Sequence, residues 1–223
     1  MQSVFITGTD TDAGKTYVAV TLLQGLKALG YRTVAQKPVA AGVNEAGFNT
    51  DALQLQQHTT EELSYAQVNP ICLTDAVAPH LAAAKAGVII DTGRLSKELH
   101  QLQTLDTDIA LVEGAGGWLL PLDDERTMAD WVTEQQLPVL LVVGMKLGCL
   151  NHALLTAAEI ERSGLKLLGW VANCIDPDMA YQQENIRYLQ QKLIAPCLGV
   201  LPYQSQLQID TQLAKALIRQ LEL

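Results

Sequence analysis

The segment Gly8-Thr9-Asp10-Thr11-Asp12-Ala13-Gly14-Lys15-Thr16 sets glycines, a lysine and a hydroxyl in an order that cradles phosphate. The backbone N–H groups of such a loop, with the N-terminus of a following helix, can surround phosphate oxygens. Lys15 would bring a point charge to the terminal phosphates, and the Thr16 hydroxyl suits Mg²⁺. Asp12, Ala13, Gly14 and Tyr17 complete the stretch expected to wrap a nucleotide. Five residues separate Gly8 from Gly14. The G-x-x-x-x-G-K-[ST] rule has four, so this is a variant loop. Asp12 could face the metal or cap the helix that follows.

Three more charged residues belong to the same chemistry. Glu113 closes an apolar run and precedes Gly114-Ala115-Gly116-Gly117. An acidic Mg²⁺ ligand commonly sits there in P-loop enzymes. The plain alternative is an exposed acid at a strand end. Asp51 could be a second carboxylate for the metal, or a first-turn acid favoured by the helix dipole. Lys37, held against Pro38, could stabilise anionic charge that develops during phosphoryl transfer. A surface lysine is the competing reading.

These groups need elements to place them. Apolar runs predict strands at Val4–Thr7, Thr33–Gln36, Asp108–Val112, Pro138–Val143, Leu167–Ala172 and Leu198–Leu201. The Pro138–Val143 run has no polar residue, as in a strand buried on both faces. Helical periodicity predicts Thr16–Leu29, a helix capped by Thr50 and running to about His58, and helices near His80–Ala86 and Arg94–Leu105. It continues at Met128–Gln135, Asn151–Arg162, Ala180–Leu193 and Thr211–Leu221. Residues 39–50 hold Gly42, Asn44, Gly47 and Asn49 and predict a loop. Strands that alternate with helices indicate an α/β fold of the P-loop NTP hydrolase type. Its mainly parallel sheet would carry helices on both faces. A single domain over residues 1–223 is expected, with its site at the carboxyl ends of the strands.

Composition narrows the function classes. Of 223 residues, 48% are apolar and 17% charged, which excludes wholesale disorder. The net charge of −9 and pI near 4.8 argue against nucleic acid as a partner. Cys72, Cys149, Cys174 and Cys197 are scattered, with no zinc-type spacing. The longest apolar run, Pro138 to Gly144, is far below the ~20 residues of a membrane span. The N-terminus lacks the pattern of a signal peptide. A cytoplasmic protein with free thiols and no membrane partner is expected.

Taken together, five segments resemble the dethiobiotin synthetase family. They are GTDTDAGKT at 8–16, QKPVAAG at 36–42, NTDALQLQ at 49–56, VEGAGGWLLPL at 112–122 and LPVLLVVGMKLGCLNHALLTA at 137–157. They keep the family's order, and the likeness spans residue 3 to about residue 175. The resemblance implies an ATP- and Mg²⁺-dependent ligase that closes a cyclic urea on 7,8-diaminononanoate with CO₂ (or bicarbonate). It implies a carbamate and then a carbamic–phosphoric anhydride as intermediates. It makes Lys15 and Lys37 the cations on phosphate and carbamate, and brings Thr11 to the reacting groups. Thr16, Asp51 and Glu113 become Mg²⁺ ligands. The backbone from Glu113 through Gly114 and Ala115 to Gly116 approaches nucleotide or substrate.

The resemblance further places Asn173, Cys174, Pro202, Tyr203 and Gln204 beside the adenine. Ala41, Gly117 and the helix start Gly148-Cys149-Leu150-Asn151 fall on the diamine substrate. The last segment reaches the substrate from a neighbouring subunit in the family, which implies a homodimer. Cys149 has no recognisable base and is expected to be packed rather than nucleophilic. Two departures stand out. Ala41 replaces a common serine, and Ala13 replaces a commoner valine. Asn173-Cys174-Ile175-Asp176 loosely resembles a guanine signature but lacks its lysine, so ATP is favoured. The rivals are a paralogue with the same chemistry on another substrate, and a partitioning or positioning ATPase.

Overall fold

The computed structural model describes residues 1–203 and 209–223. Gln204, expected beside the adenine, lies outside the described residues. In chain order the first elements are β1 (Gln2–Gly8), α1 (Lys15–Ala28), β2 (Thr33–Gln36), β3 (Val39–Ala41), α2 (Thr50–His58) and α3 (Tyr65–Val68). They continue as β4 (Ile71–Leu73), α4 (Pro79–Ala86), α5 (Thr92–Gln103), β5 (Ile109–Glu113), α6 (Met128–Glu134) and β6 (Val139–Gly144). The last are α7 (Cys149–Arg162), β7 (Leu167–Asn173), α8 (Gln182–Lys192), β8 (Cys197–Leu201) and α9 (Thr211–Leu221).

Six strands form one sheet in the order β2-β5-β1-β6-β7-β8, and every neighbouring pair is parallel. All residues of β5 and β6 are buried, as both-face coverage by helices requires. Strand alternation divides the core. Val4, Ile6, Leu111, Leu140 and Val142 pack with α1, α2 and α9. Phe5, Val112 and Val139 face α5 and α6, while Leu141, Val143 and Trp170 face α7 and α8. Ile6 lies beside Glu113, and Gln36 beside Val112. This register brings the carboxyl ends of β1, β2 and β5 together.

The local chemistry of the phosphate loop explains its shape. Gly14 takes a left-handed backbone (φ 84°) and caps α1 without a side chain. A side chain there would strike the Asn173 amide. Asp12 is itself left-handed (φ 59°) and does not cap α1, which removes one of its two expected roles.

The structure corrects three boundaries. Residues 39–41 are a strand rather than a loop, because Val39 and Ala41 pair with Ile71 and Leu73. β3 and β4 thus form a separate two-stranded parallel sheet. Asn49, not Thr50, caps α2, since its side chain accepts the Ala52 N–H at 3.1 Å. α7 begins at Cys149 instead of Asn151, because Gly148 (φ 94°) turns the chain into it. Among the described residues, no helix is long and apolar enough to cross a membrane.

Candidate active site

A cavity of about 760 Å³ opens at the ends of β1, β2 and β5. Thr11, Asp12, Gly14, Lys15, Thr16, Lys37, Asp51, Glu113, Ala115 and Gly116 all line it. Glu113 is the centre of this group and is only 1% exposed. Its Oε1 accepts hydrogen bonds from Thr16 Oγ1 at 2.8 Å and Lys37 Nζ at 2.6 Å. Its Oε2 is buried and has no partner. A carboxylate oxygen left so costs free energy unless a ligand meets it.

Lys37 is 4% exposed and also pairs with Asp51 Oδ2 at 3.0 Å. Burial pulls its proton affinity down, but Glu113 and Asp51 overcome that and hold it above the ordinary lysine value. Lys15 is held otherwise. Its Nζ donates to the carbonyls of Asp10 at 3.0 Å and Gly116 at 2.6 Å. Burial lowers its pKa to about 8; Glu113 opposes the shift and Lys37 adds to it. Asp10 is anchored by Lys146 at 3.0 Å, a contact that holds its carboxyl below the usual range.

The oxygen donors fit a hard divalent cation such as Mg²⁺. Thr16, Asp51 and Glu113 offer a hydroxyl and two carboxylates, and such an ion takes few protein oxygens plus waters and phosphates. The unpartnered Glu113 Oε2 is the atom that most needs such an ion.

A second cavity of about 270 Å³ lies on the other side of Gly14, which lines both. Tyr17, Asn173, Cys174, Pro202 and Tyr203 surround it together with Ile175. Asn173 Nδ2 donates to the Ala13 carbonyl at 2.9 Å, tying the end of β7 to the phosphate loop. Ala13, also expected at the nucleotide, is fully buried and lines neither cavity.

The structure does not bring every expected residue to the cavities. Gly114 packs its backbone against Phe5, and Gly117 lies near the Gly8 carbonyl. Gly148, Cys149, Leu150 and Asn151 start α7 but line neither cavity of this chain. Cys149 is 1% exposed, and burial pushes its thiol pKa up, against a nucleophilic role. Ala41 does face the large cavity. Sequence reading missed Asn49, Gln54, Leu120 and the wall formed by Ala76, Val77, Ala78 and Pro79. Asn49 carried a signal as a capping residue just ahead of Asp51, whereas nothing in residues 76–79 marks a wall.

A family model described as an AAA domain matches residues 2–211. The ATP-dependent dethiobiotin synthetase BioD of Yersinia pestis bv. Antiqua is 49% identical over 207 residues, covering 92% of this chain and 86% of that protein. The protein of the same name in Cellvibrio japonicus is 49% identical over 212 residues, covering 94% and 92%. BioD 1 of Escherichia coli is 48% identical over 202 residues, covering 89% of each. Among solved structures, the MinD cell division protein of Aquifex aeolicus superposes with a TM-score of 0.60 at 16% identity, covering 100% of this chain and 97% of that one. A ParA family ATPase from Chlorobium tepidum reaches 0.58 at 14% identity, covering 100% of both. At such identities the likeness shows the P-loop fold alone. The sequence relatives carry more, and the chain belongs to the dethiobiotin synthetase family, whose members are ATP-dependent ligases of biotin biosynthesis.

Proposed function

We propose that this chain joins 7,8-diaminononanoate and CO₂ at the expense of MgATP, giving dethiobiotin, ADP and phosphate. One amine adds to CO₂ and loses a proton, leaving a carbamate. The γ-phosphoryl group then passes to a carbamate oxygen, because that oxygen is otherwise a poor leaving group. The second amine attacks the activated carbon, phosphate departs, and the ring closes.

The observation that carries this reading is the convergence of Thr16 and Lys37 on one oxygen of buried Glu113, with Asp51 on the same lysine. Lys15 exchanges its carbonyl partners for terminal phosphates. Lys37 steadies the anionic carbamate and the charge that spreads during transfer. Thr11 lines the same cavity and approaches the reacting groups. Thr16, Asp51 and Glu113 hold Mg²⁺, which when bound neutralises the phosphate oxygens. The small cavity around Asn173 and Tyr203 takes the adenine. The apolar wall from Ala76 to Pro79, with Ala41 and Leu120, suits an aliphatic chain. The far carboxylate of the substrate meets Gly117 and the N–H groups that open α7 of a neighbouring subunit, in a homodimer with a shared site.

The test is phosphate release by purified protein with MgATP, bicarbonate and the diamine, each omitted in turn, with mass detection of product. Release that needs all components and yields dethiobiotin supports the proposal. Release that ignores the diamine overturns it and points to a paralogous substrate.

A further inference from the structure

Lys37 and Asp51 lie in different segments, yet a chain of buried and part-buried hydrogen bonds links the Lys37 backbone to the helix that carries Asp51. Asn69 is 3% exposed, and its Nδ2 donates to the Lys37 carbonyl at 2.7 Å and the Ile71 carbonyl at 3.1 Å. Both amide hydrogens are then used, so Oδ1 must face the Tyr65 hydroxyl, 2.9 Å away. Tyr65 therefore donates to Asn69. Its oxygen is left to accept the Asn49 N–H at 2.8 Å. Asn49, 7% exposed, caps α2 through Ala52 and donates to the Gly42 carbonyl at 2.9 Å. Asp51 stands in the first turn of that capped helix. Asn69 Oδ1 at 2.9 Å is a nearer and stronger acceptor for the Tyr65 O–H than Cys72 Sγ at 3.4 Å, which sets the direction of the chain.

We propose that Tyr65 is a positioning residue, whose hydroxyl fixes Lys37 and Asp51 relative to each other through Asn69 and Asn49. Its place supports this role. Tyr65 opens the four-residue α3, whose capping box of Ser64 and Gln67 sets the turn. The ring packs edge-on against Phe48, with centroids 4.7 Å apart. Burial first, then the contact with Cys72, raises the phenol's pKa to about 12, so it keeps the proton it donates. The proposal rests on the reading in which Lys37 and Asp51 serve the reaction.

Tyr65→Phe in the full chain is the direct test. Cys72→Ala is the control, since it removes the other side-chain neighbour of the same hydroxyl, 3.4 Å away. Three quantities are measured: kcat and KM for phosphate release, the Mg²⁺ concentration that half-saturates ADP binding, and Tm. A small misplacement of reacting groups is enough to lower kcat, so Tyr65→Phe should reduce it about tenfold while KM for ATP stays within about twofold. The Mg²⁺ requirement should rise about fivefold, and by less than about twofold when Asp51→Asn is already present. Cys72→Ala should leave kcat and the Mg²⁺ requirement within about twofold. A Tyr65→Phe protein with unchanged kcat and Mg²⁺ requirement overturns the proposal, whatever its Tm. If Tyr65→Phe does not fold, Asn69→Ser cuts the Lys37 side of the chain, with the Ile71 contact, and leaves the Asn49 side in place; it must lower kcat about fivefold. Wild-type protein without diamine-dependent turnover would refute the proposed function, and the Mg²⁺ dependence of ADP binding would still decide the role of Tyr65.

Discussion

Lys15 and Lys37 end in the same cavity, yet their surroundings differ in kind. Lys15 Nζ meets only carbonyl oxygens, and burial weakens its hold on the proton to a pKa of about 8. Lys37 sits between the carboxylates of Glu113 and Asp51, which keep it charged. Among the described residues no carboxylate pairs with Lys15 Nζ, although Glu113 acts on it from farther away. The region around Lys37 has one cation for two carboxylates and is short of positive charge. A phosphate would complete the first and a divalent cation the second, so the proposed MgATP would answer both. On the proposed function, this difference gives nucleotide capture to Lys15 and leaves Lys37 for the group that accepts the phosphoryl.

The largest expected effect comes from removing the charge that organises the Lys37 side. Glu113→Gln should slow diamine-dependent phosphate release about 100-fold or more, measured at saturating MgATP. It also leaves buried Lys37 with Asp51 as its one carboxylate partner and should cost up to about 3 kcal/mol in denaturant unfolding. Turnover within tenfold of wild type would show that Asp51 alone can serve.

A smaller effect sharpens the Lys15 side. Bound phosphates restore the charged lysine, so ADP binding should take up about 0.1 proton at pH 7 and about 0.9 at pH 9. Calorimetry in two buffers of different ionisation enthalpy reads this directly, and equal uptake at both pH values would contradict it. The unfolded chain binds this proton more tightly, so Lys15 alone makes stability rise between about pH 8 and its ordinary value of 10.5.

The smallest effect lies on the apolar wall. Ala41→Ser adds one hydroxyl to the cavity and should change KM for the diamine roughly threefold, with ATP kinetics unchanged. A large change in kcat would place residue 41 nearer the reacting atoms than the wall suggests.

Much of this site was legible because its parts are written locally. The phosphate loop is one contiguous run, Glu113 closes a strand whose apolar run stands out, and Lys37 directly follows the short β2. Asp51 was legible as a first-turn acid, while its pairing with Lys37 is a contact across the fold. β3 and β4 have three residues each, too few for a period to show, and they exist only by pairing with each other. The same holds for α3, whose Tyr65 reaches Asn49 sixteen positions back. The resemblance alone implies a place for Asn173 beside the adenine. Its amide clamps the Ala13 carbonyl, a backbone contact that no spacing announces.

The division of labour between the two lysines is tested most directly by MgADP binding to Lys15→Ala and Lys37→Ala, with phosphate release measured on the same samples. Lys15→Ala should lose about 30-fold or more in affinity and all detectable turnover. Lys37→Ala should bind MgADP within about threefold of wild type while its diamine-dependent turnover falls about 100-fold. A Lys37→Ala protein that loses nucleotide affinity as severely as Lys15→Ala would contradict the account.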